Sequence, residues 1–183
     1  MKITILNGNP ASENQRFDRY LDQLCDRWTD SGHQVTNLEL RSMKINYCIG
    51  CWNCWVKTPG QCSSGDQSLE VCQSVIQSDI TLWASPVIMG FPSAVLKKVT
   101  DKLIPLVHPY VVVDQGESHH LARYDHYPQF GLLLEKNGDC DNEDLEIIEH
   151  IFSRTALNMK SQLAFTRFTN DPIPEVCDEV NHL

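Results

Sequence analysis

Apolar positions along the chain recur with two different periods, and the two alternate. Residues 2–8 form a short apolar run closed by a glycine, and residues 13–31 follow as a charged stretch whose Phe17, Leu21, Leu24 and Trp28 fall at helical spacing. Residues 34–40 set Thr36, Leu38 and Leu40 against Asn37 and Glu39, the alternation of a half-buried strand at a sheet edge. Leu69, Cys72, Val75 and Ile76 mark a second helix, while residues 80–87 are almost continuously apolar, as a central strand covered on both faces must be. Ala94, Val95, Val99 and Leu103 predict a third helix, residues 129–135 a fourth strand, 144–159 a fourth helix and 162–168 a fifth strand.

Alternating strands and helices imply right-handed crossovers and a doubly wound parallel sheet with helices on both faces, an α/β fold. Ligands in such sheets bind at the carboxyl ends of strands where the winding reverses, which draws attention to the loops after the first and third strands. Two segments break the alternation. Residues 105–128, with His108, His119, His120 and His126, are too long for a simple connection and read as irregular. Residues 169–183, with Pro172 and Pro174, read as an acidic tail behind a single domain of residues 1–168.

Composition narrows the partners. With 24 acidic against 15 basic residues among 183, the formal charge of −9 disfavours nucleic acid and anionic lipid surfaces. Asn7-Gly8-Asn9-Pro10 interrupts the N-terminal apolar run before a signal core forms, and no apolar stretch is long enough to span a membrane. The expectation is a cytosolic protein. Cytosolic thiols stay reduced, so the eight cysteines are read as ligands, reactive groups or small core residues.

Four of them are concentrated. Cys48-Ile-Gly-Cys51-Trp-Asn-Cys54 and, after a Pro59-Gly60 turn, Cys62 place four soft donors on one short loop. That donor set suits an iron-sulfur cluster or, less well, zinc, whose sites usually split their ligands into two separated pairs. Unmetallated thiols packed beside Trp52 and Trp55 are a third reading. Cys25, Cys72, Cys140 and Cys177 are scattered and read as packing residues.

Three motifs together resemble the flavodoxin-like NADPH-dependent FMN reductase and iron-sulfur flavoprotein family: Leu6-Asn7-Gly8-Asn9-Pro10, the Cys48-x-Gly-Cys51-x2-Cys54 loop, and the run from Ser85 to Lys97. The resemblance implies a five-stranded sheet ordered 2-1-3-4-5. It also implies an FMN-dependent oxidoreductase that uses NAD(P)H to reduce quinones, flavins or related acceptors, as a homodimer or larger. The alternative it offers is a non-enzymatic electron carrier. In that family the FMN phosphate lies in the loop after the first strand, which here offers Asn9, Ser12, Asn14 and Gln15, with Glu13 as an unfavourable neighbour. The flavin ring lies against the loop after the third strand, here Pro86, Val87, Ile88, Met89 and Gly90, with Ile88 where tyrosine is frequent. The compact cysteine spacing resembles that of members holding a 4Fe-4S cluster through Cys48, Cys51, Cys54 and Cys62.

The histidines form no metal-binding spacing and read as solvated loop residues. Asp139, Asp141, Asn142, Glu143 and Asp144 lack the glycine and terminal glutamate of a calcium loop and read as the acidic start of a helix.

Overall fold

The computed structural model describes residues 1–114, 116–138 and 140–183. In chain order its elements are β1 (Lys2–Asn7), α1 (Gln15–Asp30), β2 (Gln34–Glu39), α2 (Asn53–Val56), α3 (Ser68–Gln77), β3 (Ile80–Ile88) and β4 (Phe91–Pro92). There follow α4 (Ala94–Thr100), a 3-10 helix over Asp101–Leu106, β5 (Val107–Asp114), β6 (Glu117–Ala122), β7 (Gln129–Glu135), α5 (Asn142–Asn158), β8 (Leu163–Phe168) and α6 (Ile173–Asn181).

The main sheet is ordered β2-β1-β3-β7-β8, with every neighbouring pair on that path parallel. It differs from the expected five-stranded sheet because β4 folds back antiparallel onto β3, making six strands, and because β5 and β6 pair as a separate hairpin. Both additions escape periodicity. The Phe91–Pro92 strand has only two residues, and residues 105–128, expected to be irregular, alternate too weakly to announce two strands.

Burial explains the layers. β3 is buried from Ile80 through Val87, as its nearly continuous apolar run requires, while β2 at the edge buries only Leu38 among its six residues. Phe17, Leu21, Leu24 and Trp28 turn inward from α1 onto one face of the sheet, against Ile3, Ile5, Leu82 and Leu133. The other face packs Trp83 flat on Phe130, with ring centroids 4.2 Å apart, and edge-on to Phe152 of α5. In α3 the inward residues are Ser68, Val71, Cys72 and Val75, whereas Leu69 and Ile76 are only half-buried.

Residues 169–183 are not a loose tail. Pro172 and Pro174 flank the start of α6 rather than prevent it, since proline is tolerated in a first helical turn. Val176, Cys177 and Val180 are then buried in the same cluster as Trp28. Asp141 caps α5 in a reciprocal box with Asp144. Asp139, grouped with these residues in the sequence, lies outside the described residues.

Candidate functional site

The loops after β1, β2, β3 and β7 leave the same carboxyl edge of the parallel sheet. Ser93, the N-cap of α4, joins the first and third of these loops. Its hydroxyl accepts from Leu96 N and donates to the Gly8 carbonyl, while its own N–H donates to Ser85 Oγ at 2.8 Å. Gly8 is hemmed in: an added Cβ would stand 2.7 Å from Leu96 Cβ and 2.9 Å from the Ala84 carbonyl.

The four residues expected at a phosphate divide into two pairs. Asn9 is fully buried, and its side chain donates to the Asn14 carbonyl and to Asp18 while accepting from Ala11 N. Asn14 caps α1 by accepting from Phe17 N and donates its amide to Glu135 at 2.6 Å. These two asparagines are committed to shaping the loop. Ser12 and Gln15 are exposed beside the N-terminus of α1, and so is Glu13, which accepts the Ser12 hydroxyl at 3.4 Å. Arg16 is drawn away to Asn170, and Arg41 is held by Asp18 and Glu39. The carboxyl of Asp18 titrates below its usual range. Burial pushes it up, but hydrogen bonds from Asn7, Arg41 and Asn9 outweigh that.

Residues 86–90 are a hairpin rather than an open loop. Ile88 pairs with Phe91, and Met89 and Gly90 between them have φ of 52° and 72°. Two consecutive positive φ values match the primed two-residue turn that suits the twist of paired strands. The side chain of Met89 stands almost wholly in solvent, 97% exposed, and Ile88 is 41% exposed. Pro86 and Val87 remain inside the sheet, where the Val87 carbonyl accepts from Asn137 Nδ2.

The cysteine loop lies between β2 and α3. Cys48, Cys51, Cys54 and Cys62 all line one cavity of about 370 Å³, with Tyr47, Ile49, Trp52, Ile104 and Pro105 among its walls. Cys48 and Cys51 are exposed and Cys54 is buried. Trp52, with φ of 59°, stacks on Trp55 at 4.9 Å, and Trp55 anchors the loop by donating Nε1 to the Ile104 and Val107 carbonyls. The Trp55 ring also lies against His120 of β6, at 4.9 Å between ring centroids.

Beneath the cavity is a group that sequence reading missed. Lys102 and Asp66 form an ion pair at 2.7 Å with side chains only 2% and 5% exposed. Lys102 Nζ also donates to Ser64 Oγ at 2.8 Å and lies 3.4 Å from Cys62 Sγ. Asp66 in turn accepts from Asn46 N, Ser68 N and Ser68 Oγ. Burial raises the Cys62 thiol, but hydrogen bonds from Ser64 and the Lys102 ammonium bring its net titration below the usual range. Cys54 goes the other way, pushed up by burial and then by the neighbouring thiols of Cys62 and Cys48. The one sequence hint was a lysine directly before Leu103 in an apolar repeat. His119, expected in solvent, is buried at 6% exposure and meets Glu117 and Asn158.

Among the described residues, no three His, Cys, Asp or Glu side chains are grouped as a single metal ion requires. The four thiols share a cavity rather than a point. A tetrahedral zinc ion with Zn–S bonds near 2.3 Å would need sulfurs roughly 3.8 Å apart, so this arrangement does not suit zinc. A polynuclear cluster holds its thiolates farther apart, and four soft donors around one largely apolar cavity fit that chemistry.

A doubly wound sheet with such loops at its carboxyl edge is the architecture of flavodoxin-like proteins. The chain belongs to the NADPH-dependent FMN reductase family, whose model matches residues 1–119. An iron-sulfur flavoprotein of Archaeoglobus fulgidus is 32% identical over 108 residues, covering 59% of this chain and 48% of that protein. An iron-sulfur flavoprotein of Methanocaldococcus jannaschii is 28% identical over 106 residues, covering 58% and 53%. The chain thus spans about half the length of these curated relatives. Among solved structures, an NAD(P)H:quinone oxidoreductase from Methanothermobacter marburgensis superposes with a TM-score of 0.68 at 15% identity, covering 99% of this chain and 90% of that one. An FMN-dependent NADH-azoreductase from Bacillus anthracis in complex with FMN gives 0.61 at 12%, covering 99% and 94%. Identities this low speak for the shared fold. No helix among the described residues is long and apolar enough to cross a membrane.

Proposed function

We propose that this chain carries an FMN-dependent NAD(P)H oxidoreductase site that reduces quinones, flavins or related small acceptors. The observation that carries the reading is the pair of loops after β1 and β3, joined through Ser93 at the carboxyl edge of a sheet belonging to the FMN reductase family. The residues present fit FMN. Ser12, Gln15 and the N-terminal amides of α1 would take the phosphate, where aligned N–H groups favour an anion. Asn9 and Asn14 hold that loop in shape through Asp18 and Glu135. The exposed Met89 and Ile88 offer an apolar shelf for the ring beside Gly90, while Pro86 and Val87 fix the strand beneath it. Bound FMN would supply hydride acceptance and electron delivery, and the protein orients it and supplies hydrogen bonds. Association into a homodimer or larger belongs to the same reading. Tyr110, Val111 and Val113 on β5 and Tyr47 and Ile49 on the cysteine loop expose apolar surface for it.

Titration of apo-protein with FMN, followed by flavin fluorescence and then by NAD(P)H oxidation with a quinone, tests the reading. Quenching with saturation in the micromolar range, followed by nicotinamide turnover, is expected. A folded protein that leaves FMN unquenched at tens of micromolar would overturn it.

A second reading rests on its own observation, the four thiols around one cavity. Cys48, Cys51, Cys54 and Cys62 would hold a 4Fe-4S cluster, making the chain an electron carrier in which flavin and cluster exchange single electrons with protein partners. Iron and acid-labile sulfide in anaerobically prepared material, lost on Cys51→Ser and kept on Cys177→Ser, are its test. Absence of both from the unmutated protein removes this reading and leaves the reductase intact.

A further inference from the structure

A fully buried lysine is costly, and a protein that keeps one must occupy its donors. Lys102 has three ammonium hydrogens and three partners within reach: Asp66 at 2.7 Å, Ser64 at 2.8 Å and Cys62 at 3.4 Å. Two of those partners account for structure. Asp66 neutralises the charge and, through Asn46 N and Ser68, fastens both ends of the cysteine loop to the start of α3. The third points the remaining N–H at a sulfur that lines the four-thiol cavity, which Lys102 itself also lines. Packing does not require that contact, because a methionine would fill similar space with no counterion to bury.

We propose that Lys102 is the positioning residue of the four-thiol site, holding Cys62 from its buried side and raising the one-electron reduction potential of an iron-sulfur group carried there. This rests on the second reading above. An electron added to a cluster spreads negative charge onto its thiolate sulfurs, and a charged N–H donor at a sulfur stabilises that state more than the oxidised one. Asp66 opposes the effect, since its carboxylate is only 2.7 Å beyond the ammonium. The ammonium is nevertheless the partner that faces the sulfur, so the pair presents its positive end to Cys62. Burial of both side chains keeps water from screening that dipole.

The test uses the intact chain reconstituted anaerobically, read by iron and sulfide content and by a spectroscopically followed redox titration. Unmutated protein is expected to hold about four irons and four sulfides per chain. Lys102→Gln keeps a donor without charge and should lower the one-electron reduction constant about tenfold, a shift of ~59 mV. Asp66→Asn uncovers the cation and should shift the potential upward, a sign that a merely structural role would not produce. Lys102→Arg should stay near the unmutated value. Loss of iron in Lys102→Met but not in Lys102→Arg supports positioning. Full iron with an unchanged midpoint in Lys102→Gln and Lys102→Met overturns the proposal while leaving the four-thiol reading standing. Unmutated protein that takes up no iron overturns both.

Discussion

Asp66→Asn is the substitution with the largest stability effect that the site's electrostatics imply. At 2.7 Å and an effective dielectric of about 20, the attraction between Asp66 and Lys102 is roughly 6 kcal/mol. Desolvation of two side chains that are 2% and 5% exposed offsets most of this, so the pair as a whole is worth little against an apolar replacement. Removing one partner is different, because the desolvation cost of the other remains. Asp66→Asn turns an amide toward the ammonium and leaves Lys102 with only Ser64 and Cys62, at a cost of ~4–5 kcal/mol. Lys102→Met leaves Asp66 with bonds from Asn46 N, Ser68 N and Ser68 Oγ, so its cost falls nearer ~3 kcal/mol. The double variant should cost less than the sum by about 2 kcal/mol or more. Urea denaturation at constant m-value measures all three.

The pH dependence follows from the two shifts. Asp66 is lowered: burial pushes it up, but hydrogen bonds from Lys102, Ser68 and Asn46 prevail. Its contribution is present above the ordinary aspartate value of about 3.9 and is lost as pH falls through the folded value. Lys102 is raised, burial being outweighed by Asp66 and Cys62, so its contribution is present below about 10.4 and lost as pH rises through the folded value. The gap between unmutated protein and Asp66→Asn should be flat from about pH 5 to 7, narrowing at lower pH as Asp66 is protonated and at higher pH as the unpaired, buried Lys102 of the variant gives up its proton. A cost below ~1 kcal/mol with additive single variants would mean that water reaches the pair.

Three further outcomes are expected. Gly8→Ala forces a Cβ against Leu96 and the Ala84 carbonyl, and should lower stability by ~1–3 kcal/mol in the same denaturation assay. Met89→Gly relieves a left-handed residue and should raise stability by up to ~1 kcal/mol; if Met89 supports the flavin ring, FMN affinity falls in the same variant, and unchanged affinity removes that role. Asn14→Ala loses the α1 cap and leaves the nearly buried Glu135 without its amide donor, for ~2–3 kcal/mol by thermal or urea unfolding; a loss under ~0.5 kcal/mol would show the loop held by Asn9 alone.

The parallel strands and main helices were legible because burial dictates period. Phe17, Leu21, Leu24 and Trp28 all turn inward from α1, and β3 is buried along the length of its apolar run. What periodicity could not reach was geometry set by pairing. The β4 strand exists because Met89 and Gly90 turn back on β3, and no two-residue segment carries a period. α6 hid behind two prolines whose effect depends on whether they stand before a helix or within it. At the candidate site, the resemblance drew Asn9 and Asn14 toward the phosphate, but nothing in the sequence pairs Asn9 with Asp18, nine residues on, or Asn14 with Glu135, 121 residues on. Lys102 was invisible for the same reason, since its counterion lies thirty-six residues away.

The hydroxyl of Ser93 sets a rule for exchanging parts between relatives. It satisfies the Gly8 carbonyl from another segment of the chain, eighty-five residues away, and buries the bond completely. A loop transplanted after β1 without the matching Ser85-to-Ser93 segment would carry that carbonyl into the interior with no donor, a penalty of ~1–3 kcal/mol before any ligand is considered. The two loops are therefore one exchangeable cassette. Chimaeras that move residues 8–14 together with 85–97 should fold where single-loop grafts falter.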